Sequence, residues 1–136
     1  MLYPSILPNL DVLWNDYEPR EIEDKLRYLI EPAQLSTRGY YLQLLTQIAR
    51  AQALQGNFAG AHATLDSVER ELSDATEPAR VRSMIERARI FLAQDAAGRA
   101  MPLLERALQQ THYYPHLARQ ASELLDRAST YCVAAA

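Results

Sequence analysis

Three histidines and one cysteine are the side chains best suited to metal or nucleophilic chemistry in this chain, and their positions decide what they can do. His112 and His116 stand four apart, the spacing at which two imidazoles share a helix face and could begin a zinc site. Pro115 falls between them, and a proline opening a helix leaves His112 outside it. Neither a cysteine nor a placed third ligand accompanies the pair, so the motif assigns no metal. His62 falls on the polar side of its segment, where solvent is the expected partner. Cys132, beside Tyr131, has no second thiol, which excludes an intramolecular disulfide and fits a reducing compartment; a lone cysteine is usually a small apolar filler. No Gly-x-Ser-x-Gly elbow, phosphate loop or dinucleotide fingerprint occurs, and only four glycines are available to build one. Carboxylates fall at salt-bridging positions on helix surfaces, Glu23 with Arg27 and Glu123 with Arg127. The chain therefore offers no catalytic set and no cofactor motif, and a non-enzyme is expected.

A binding surface is better supported. Gln43, Gln47 and Arg50 share a helical face turned away from Leu44, Leu45 and Ile48, and 39 residues later Arg82, Glu86 and Arg89 take the corresponding places. Stacked, the six residues make one polar stripe, the expected partner-binding set. A simpler arrangement has Arg50 pairing with Glu86 across adjacent helices on a face that only water covers. Tyr28, Tyr40, Tyr41, Tyr113 and Tyr114 could anchor an interface or pack between helices.

Positioning that stripe requires a folded helical scaffold, and the bulk properties allow one. A chain of 136 residues with 49% hydrophobic and 23% charged residues is the size and composition of one globular domain, large enough for a core without staples. Its net charge of −3 argues against nucleic acid as partner: Arg80, Arg82, Arg87 and Arg89 cluster, but Glu77 and Glu86 interrupt them. Pro4, Pro8, Asn9 and Asp11 interrupt the first residues before a secretion signal could develop, and no apolar run approaches the ~20 residues of a membrane-spanning helix. A cytoplasmic protein is expected.

Residues 1–18 carry no periodicity and read as an irregular segment. Helical spacing then runs through Ile22, Leu26, Leu29 and Ile30, with a break at Pro32. A helix over residues 39–55 is capped by Ser36 or Thr37 and ends at Gly56, and Asn57 caps a partner carrying Phe58, Ala61, Leu65, Val68 and Leu72. Ala59, Gly60 and Ala61 in that helix suggest a close crossing by a second helix. A third helix is expected near 77–93 and a fourth from Ala97, started late or bent because Pro102 lies past its first turn. A last helix runs over about 115–130, and residues 131–136 form a frayed tail.

Shifting one helical pair by 39 residues lays Leu45 on Met84, Ala49 on Ala88, Ala61 on Ala100, Leu65 on Leu104 and Val68 on Ala107. A fixed displacement that keeps small on small is what stacked repeats require, since one hairpin leaves an apolar face that a neighbour must cover. Here "IARAQALQGNFAGAHATL" and "ARIFLAQDAAGRAMPLLERAL" resemble the tetratricopeptide repeat family over roughly residues 40–110. Leu45 and Met84 stand where that family has a tryptophan, Gln52 replaces an aromatic, Arg87 a leucine, Asp95 the turn glycine and Ser73 a proline.

The resemblance implies an all-α fold of antiparallel hairpins stacked as a short solenoid. One domain would span 19–130, with repeat pairs at about 39–73 and 77–110 and a capping helix at about 115–130. It also implies a concave groove, lined by the stripe, that holds a peptide or partner protein, with Arg50 and Arg89 gripping a carboxylate or backbone carbonyl. Self-association into a homodimer through the stack ends, and a small-ligand sensor or enzyme-accessory subunit using the inside of the curve, stay open as alternatives.

Overall fold

Pro19, whose missing N–H is not needed in a first turn, opens the first helix of the computed structural model, which describes residues 7–135. This helix, α1 (Pro19–Tyr28), buries Ile22 and Leu26. The chain does not break at Pro32 as the sequence suggests. A short helix, α2 (Ile30–Gln34), takes Pro32 into its first turn, where proline is tolerated, and Ala33 N donates to Leu29 O at 2.9 Å. The longer helices follow: α3 (Arg38–Leu54), α4 (Phe58–Glu69), α5 (Glu77–Ala93), α6 (Ala97–Leu108) and α7 (Pro115–Ala135). No strand occurs among the described residues.

Local chemistry sets most boundaries. The Thr37 hydroxyl accepts from Tyr40 N at 3.1 Å and starts α3. Asn57 Oδ1 accepts from Gly60 N at 3.0 Å and starts α4. Between these helices Gly56 takes the left-handed conformation at φ 81°, and Asp95 does the same at φ 58° between α5 and α6. Those two turn residues are one repeat displacement apart, so the 39-residue register extends to backbone conformation. The reason for the small residue at position 60 differs from the expected helix crossing: a Cβ there would lie 2.4 Å from Asn57 Nδ2, displacing the cap. Pro102 neither delays α6 nor ends it. Its ring is exposed, and Gly98, whose carbonyl would have accepted the missing N–H, is exposed too, so water can serve instead. Helix α7 continues to Ala135 through the residues expected to fray, of which Ala136 lies outside the described residues.

Packing follows the pairs. α3 lies against α4, and α5 against α6, which also meets α7; α5 touches α3, α4 and α7, and α1 covers the other side of α3. Ala49 and Ala61 share one cluster with Leu65 and Ile90, while Ala88 and Ala100 share another with Ile85 and Leu104; all four alanines are fully buried. Large side chains between the helices, such as Ile85 and Leu104, each stabilise the packed state by roughly 1.5–3 kcal/mol relative to exposure. This stacking brings the outward faces of α3, α5 and α7 side by side.

Candidate functional site

The polar stripe is one continuous surface across α3 and α5, and it is not bathed in water. Gln47, Arg82 and Glu86 are 0%, 5% and 1% exposed, and residues 7–15 fold back over the first two, Trp14 meeting Gln47 and Asp11 meeting Arg82. That arm belongs to the segment read as irregular, whose first six residues lie outside the described residues. It contains a 3-10 turn, Val12–Asn15, with Asp11 at its N-cap. In a 3-10 turn residues three apart eclipse, so Asp11 and Trp14 project to the same side, toward the stripe.

Asp11 meets Arg82 in a two-pronged ion pair: NH1 donates to Oδ1 at 3.0 Å and NH2 to Oδ2 at 2.9 Å. The third donor of Arg82, Nε, reaches Gln43 Oε1 at 2.8 Å, so a nearly buried guanidinium is satisfied on both edges. His116 Nε2 lies 3.6 Å from Asp11 Oδ2. Burial pushes the Asp11 carboxyl up, but the hydrogen bonds and charge of Arg82, helped by His116 and Gln120, outweigh it and hold the group below the usual carboxylate value. Trp14 Nε1 donates to Gln47 Oε1 at 3.0 Å, and the Arg50 guanidinium lies over the Trp14 ring at 4.1 Å from its centroid. The arm is further held by Leu10, which is buried against Ile22, Leu26 and Leu44, and by Tyr40, whose hydroxyl donates to Pro8 O at 2.6 Å.

The six stripe residues therefore come together, with partners the sequence did not reveal. Arg50 does not pair with Glu86, the arrangement expected of a merely solvated face; it stacks on Trp14 and makes no ion pair among the described residues. Burial pushes the Arg50 guanidinium down from its ordinary value, with the charge of Glu86 opposing and that of Arg89 adding. Glu86 instead takes Gln47 Nε2 at 3.5 Å and lies 3.1 Å from Arg89 Nε, though misaligned, so that Glu86 Oε1 and Arg89 Nε lack a hydrogen-bond partner among the described residues. Arg89 NH2 donates to Gln120 Oε1 at 2.9 Å. Arg50 and Arg89 also edge, with Arg127, a cleft of about 340 Å³ that has Leu54, Leu92 and Tyr131 as apolar walls.

Asp11, Trp14 and Arg127 are the residues that sequence reasoning missed. A usable signal existed: the lone tryptophan and an aspartate three residues before it, set among Leu10, Val12 and Leu13. Arg127 had been matched to Glu123, but only the Glu23–Arg27 pair forms, at 2.8 Å. Among the other chemistry-bearing residues, His112 precedes α7 and shares no helix face with His116, and no group of three metal-ligating side chains assembles among the described residues. His62 is not simply solvated: Arg87 NH1 is 2.8 Å from its Nδ1 and Gln94 Oε1 is 3.2 Å from its Nε2. Cys132 packs its Sγ 3.4 Å from Met101 Sδ. Of the tyrosines, Tyr28 and Tyr113 are exposed, whereas Tyr40, Tyr41 and Tyr114 pack partly buried. No described helix is long and apolar enough to cross a membrane. Comparison with protein-family models, curated proteins and solved structures finds no match to this chain.

Proposed function

We propose that this chain is a non-catalytic interaction module of tetratricopeptide-like architecture whose α3–α5–α7 groove takes a peptide or a segment of a partner protein. One observation carries the reading: the stripe already holds a short stretch of polypeptide, residues 7–15, through side-chain-specific contacts to Arg82, Gln47 and Arg50. A surface that reads a carboxylate and an aromatic ring in its own chain has the donors and stacking faces that recognition of another chain requires. The 39-residue stacking register, with Gln43 beside Arg82, agrees with the repeat resemblance.

Selection from a displayed random-peptide library against the full chain, and against the full chain with Trp14→Ala, tests the proposal. Enriched peptides that lose binding on Arg50→Glu are expected; a library that yields nothing above bare support with either chain refutes it. A second reading, a sensor of a small anionic ligand, is favoured by the cleft between Arg50, Arg89 and Arg127, whose volume of about 340 Å³ suits a small molecule. Thermal-shift screening of carboxylates and phosphates separates the two.

A further inference from the structure

We propose that the arm, residues 7–15, is a built-in competitor for its own groove, and that the segment which displaces it carries the same chemistry: a carboxylate with an aromatic ring three residues later, on one helical turn. The inference rests on the groove reading and goes further by naming the occupant.

The arm is seated much as a bound peptide would be, anchored through Leu10, Leu13 and Trp14 to one apolar cluster of α1 and α3. Its contacts face one way: Leu10 is buried and Asp11 and Trp14 point into the groove, while Asn9, Val12 and Asn15 face water. No described backbone hydrogen bond ties it to the helices; apart from the Tyr40 bond to Pro8 O, side chains alone hold it. Asn15, Asp16, Tyr17 and Glu18, which join it to α1, are exposed and could act as a hinge. Three of the four apolar clusters, those binding α3 to α4, α5 to α6 and α6 to α7, contain no arm residue, so the helices keep most of their packing when it leaves.

What release leaves behind specifies the replacement. Arg82 would keep its bond to Gln43 but turn two donors from a carboxylate to water, and Arg50 would lose the ring beneath it. A ligand that restores a two-oxygen acceptor at Arg82 and a π-face at Arg50 therefore replaces what the arm gives up and competes with it directly. A neutral or basic segment cannot do so. Arg50, Arg89 and Arg127 edge one cleft, with Glu86 beside the first two, and this excess of positive charge attracts an acidic segment in a protein whose net charge is negative.

The probe is a fluorescein-labelled peptide with the sequence of residues 7–18, beside a control peptide in which its aspartate and tryptophan are alanines. It is titrated into the full wild-type chain and into the full chain carrying Asp11→Ala and Trp14→Ala. Because an occupied groove lowers apparent affinity by the fraction that is free, binding to the double variant is expected to be at least about 10-fold tighter than to wild type, with no binding of the control. Equal affinity for both proteins, equal binding of the control, or no binding to a variant of unchanged helical circular dichroism overturns the proposal. Wild type gives a second readout that needs no variant. Trp14 is its only tryptophan, and an unlabelled arm peptide with phenylalanine in place of tryptophan should red-shift its emission by releasing the arm; no shift at millimolar peptide counts against the proposal. Light scattering against concentration examines the other occupant, since a dimer that forms with unshifted Trp14 emission would make the arm of a second copy the ligand and overturn a foreign segment. If the arm peptide fails while the library still yields Arg50-dependent binders, only the competitor falls; if both fail, so does the groove reading.

Discussion

Gln43 Oε1 accepts a hydrogen bond from Arg82 Nε at 2.8 Å, and the two residues are 39 apart in the chain. Gln47 and Glu86 meet at the same separation, at 3.5 Å. The distance between equivalent positions of the two helical pairs is thus the sequence distance across the α3–α5 contact, and two of the three stripe pairs meet their own counterparts. Asp11 closes the row from outside, which makes the Asp11–Arg82 pair the point where scaffold and arm are coupled.

That coupling is measurable. Asp11→Ala leaves two donors of a guanidinium only 6% exposed without acceptors, and charged hydrogen bonds of this kind are worth about 1.5–3 kcal/mol. Arg82→Met keeps the stem and removes both charge and donors. A double-mutant cycle by urea unfolding should return a favourable coupling of about 1–3 kcal/mol, and a coupling near zero would mean the pair is only a surface contact.

Acid should free the arm. The Asp11 carboxyl is held below its unfolded value, so its stabilising contribution is complete above the unfolded pKa of about 3.9 and is lost as pH falls through the lower folded value. Arg82 from α5 and His116 and Gln120 from α7 face the group, and none of them loses positive charge on acidification. Trp14 emission should therefore hold steady through neutral pH and red-shift below about pH 4, whereas Asp11→Asn should show the red-shifted emission already at pH 7. Identical titration curves for the two proteins would detach Asp11 from the arm.

The two turn residues should respond in opposite senses. Asp95 holds a left-handed conformation that costs an L-residue roughly 1–2 kcal/mol, so Asp95→Gly is expected to raise stability by about 0.5–1 kcal/mol after the entropy of glycine is deducted. Gly56→Ala should lower it by about 1–2 kcal/mol, by introducing that strain where glycine now avoids it. Nothing lies within 4 Å of a Cβ at position 56, so conformation rather than crowding is being measured.

Helix ends were legible wherever a single residue decides them. Thr37, Gly56 and Asn57 each act within one turn, and both ends of α3 and the start of α4 fall within a residue or two of them, whereas α4 stops at Glu69, short of the expected Leu72. The stripe was legible because helical period sorts residues by face. Its occupant was not: the arm has one short turn and no periodicity, and its decisive contact spans 71 residues from Asp11 to Arg82. Local rules carry no information about such a pairing. Pro32 misled because it falls in the first turn of a short helix, where no N–H is needed, and Pro102 because the acceptor its N–H would have used is exposed to water.

The buried alanines offer the sharpest test of the stacking itself. Ala61 and Ala100 occupy the same place in successive pairs, each fully buried where its helix meets its partner. Leucine at either site adds three carbons to a space with no exposed edge, forcing the helices apart at a cost of about 1–3 kcal/mol or more. Pairs that share one geometry should suffer comparably, so Ala61→Leu and Ala100→Leu are expected to lower the urea midpoint by similar amounts. Ala63→Leu, on the exposed side of α4, should leave it within about 0.5 kcal/mol. A large loss at one buried site and none at the other would show that the two pairs do not close in the same way, and the equivalence between Arg50 and Arg89 that the groove reading uses would go with it.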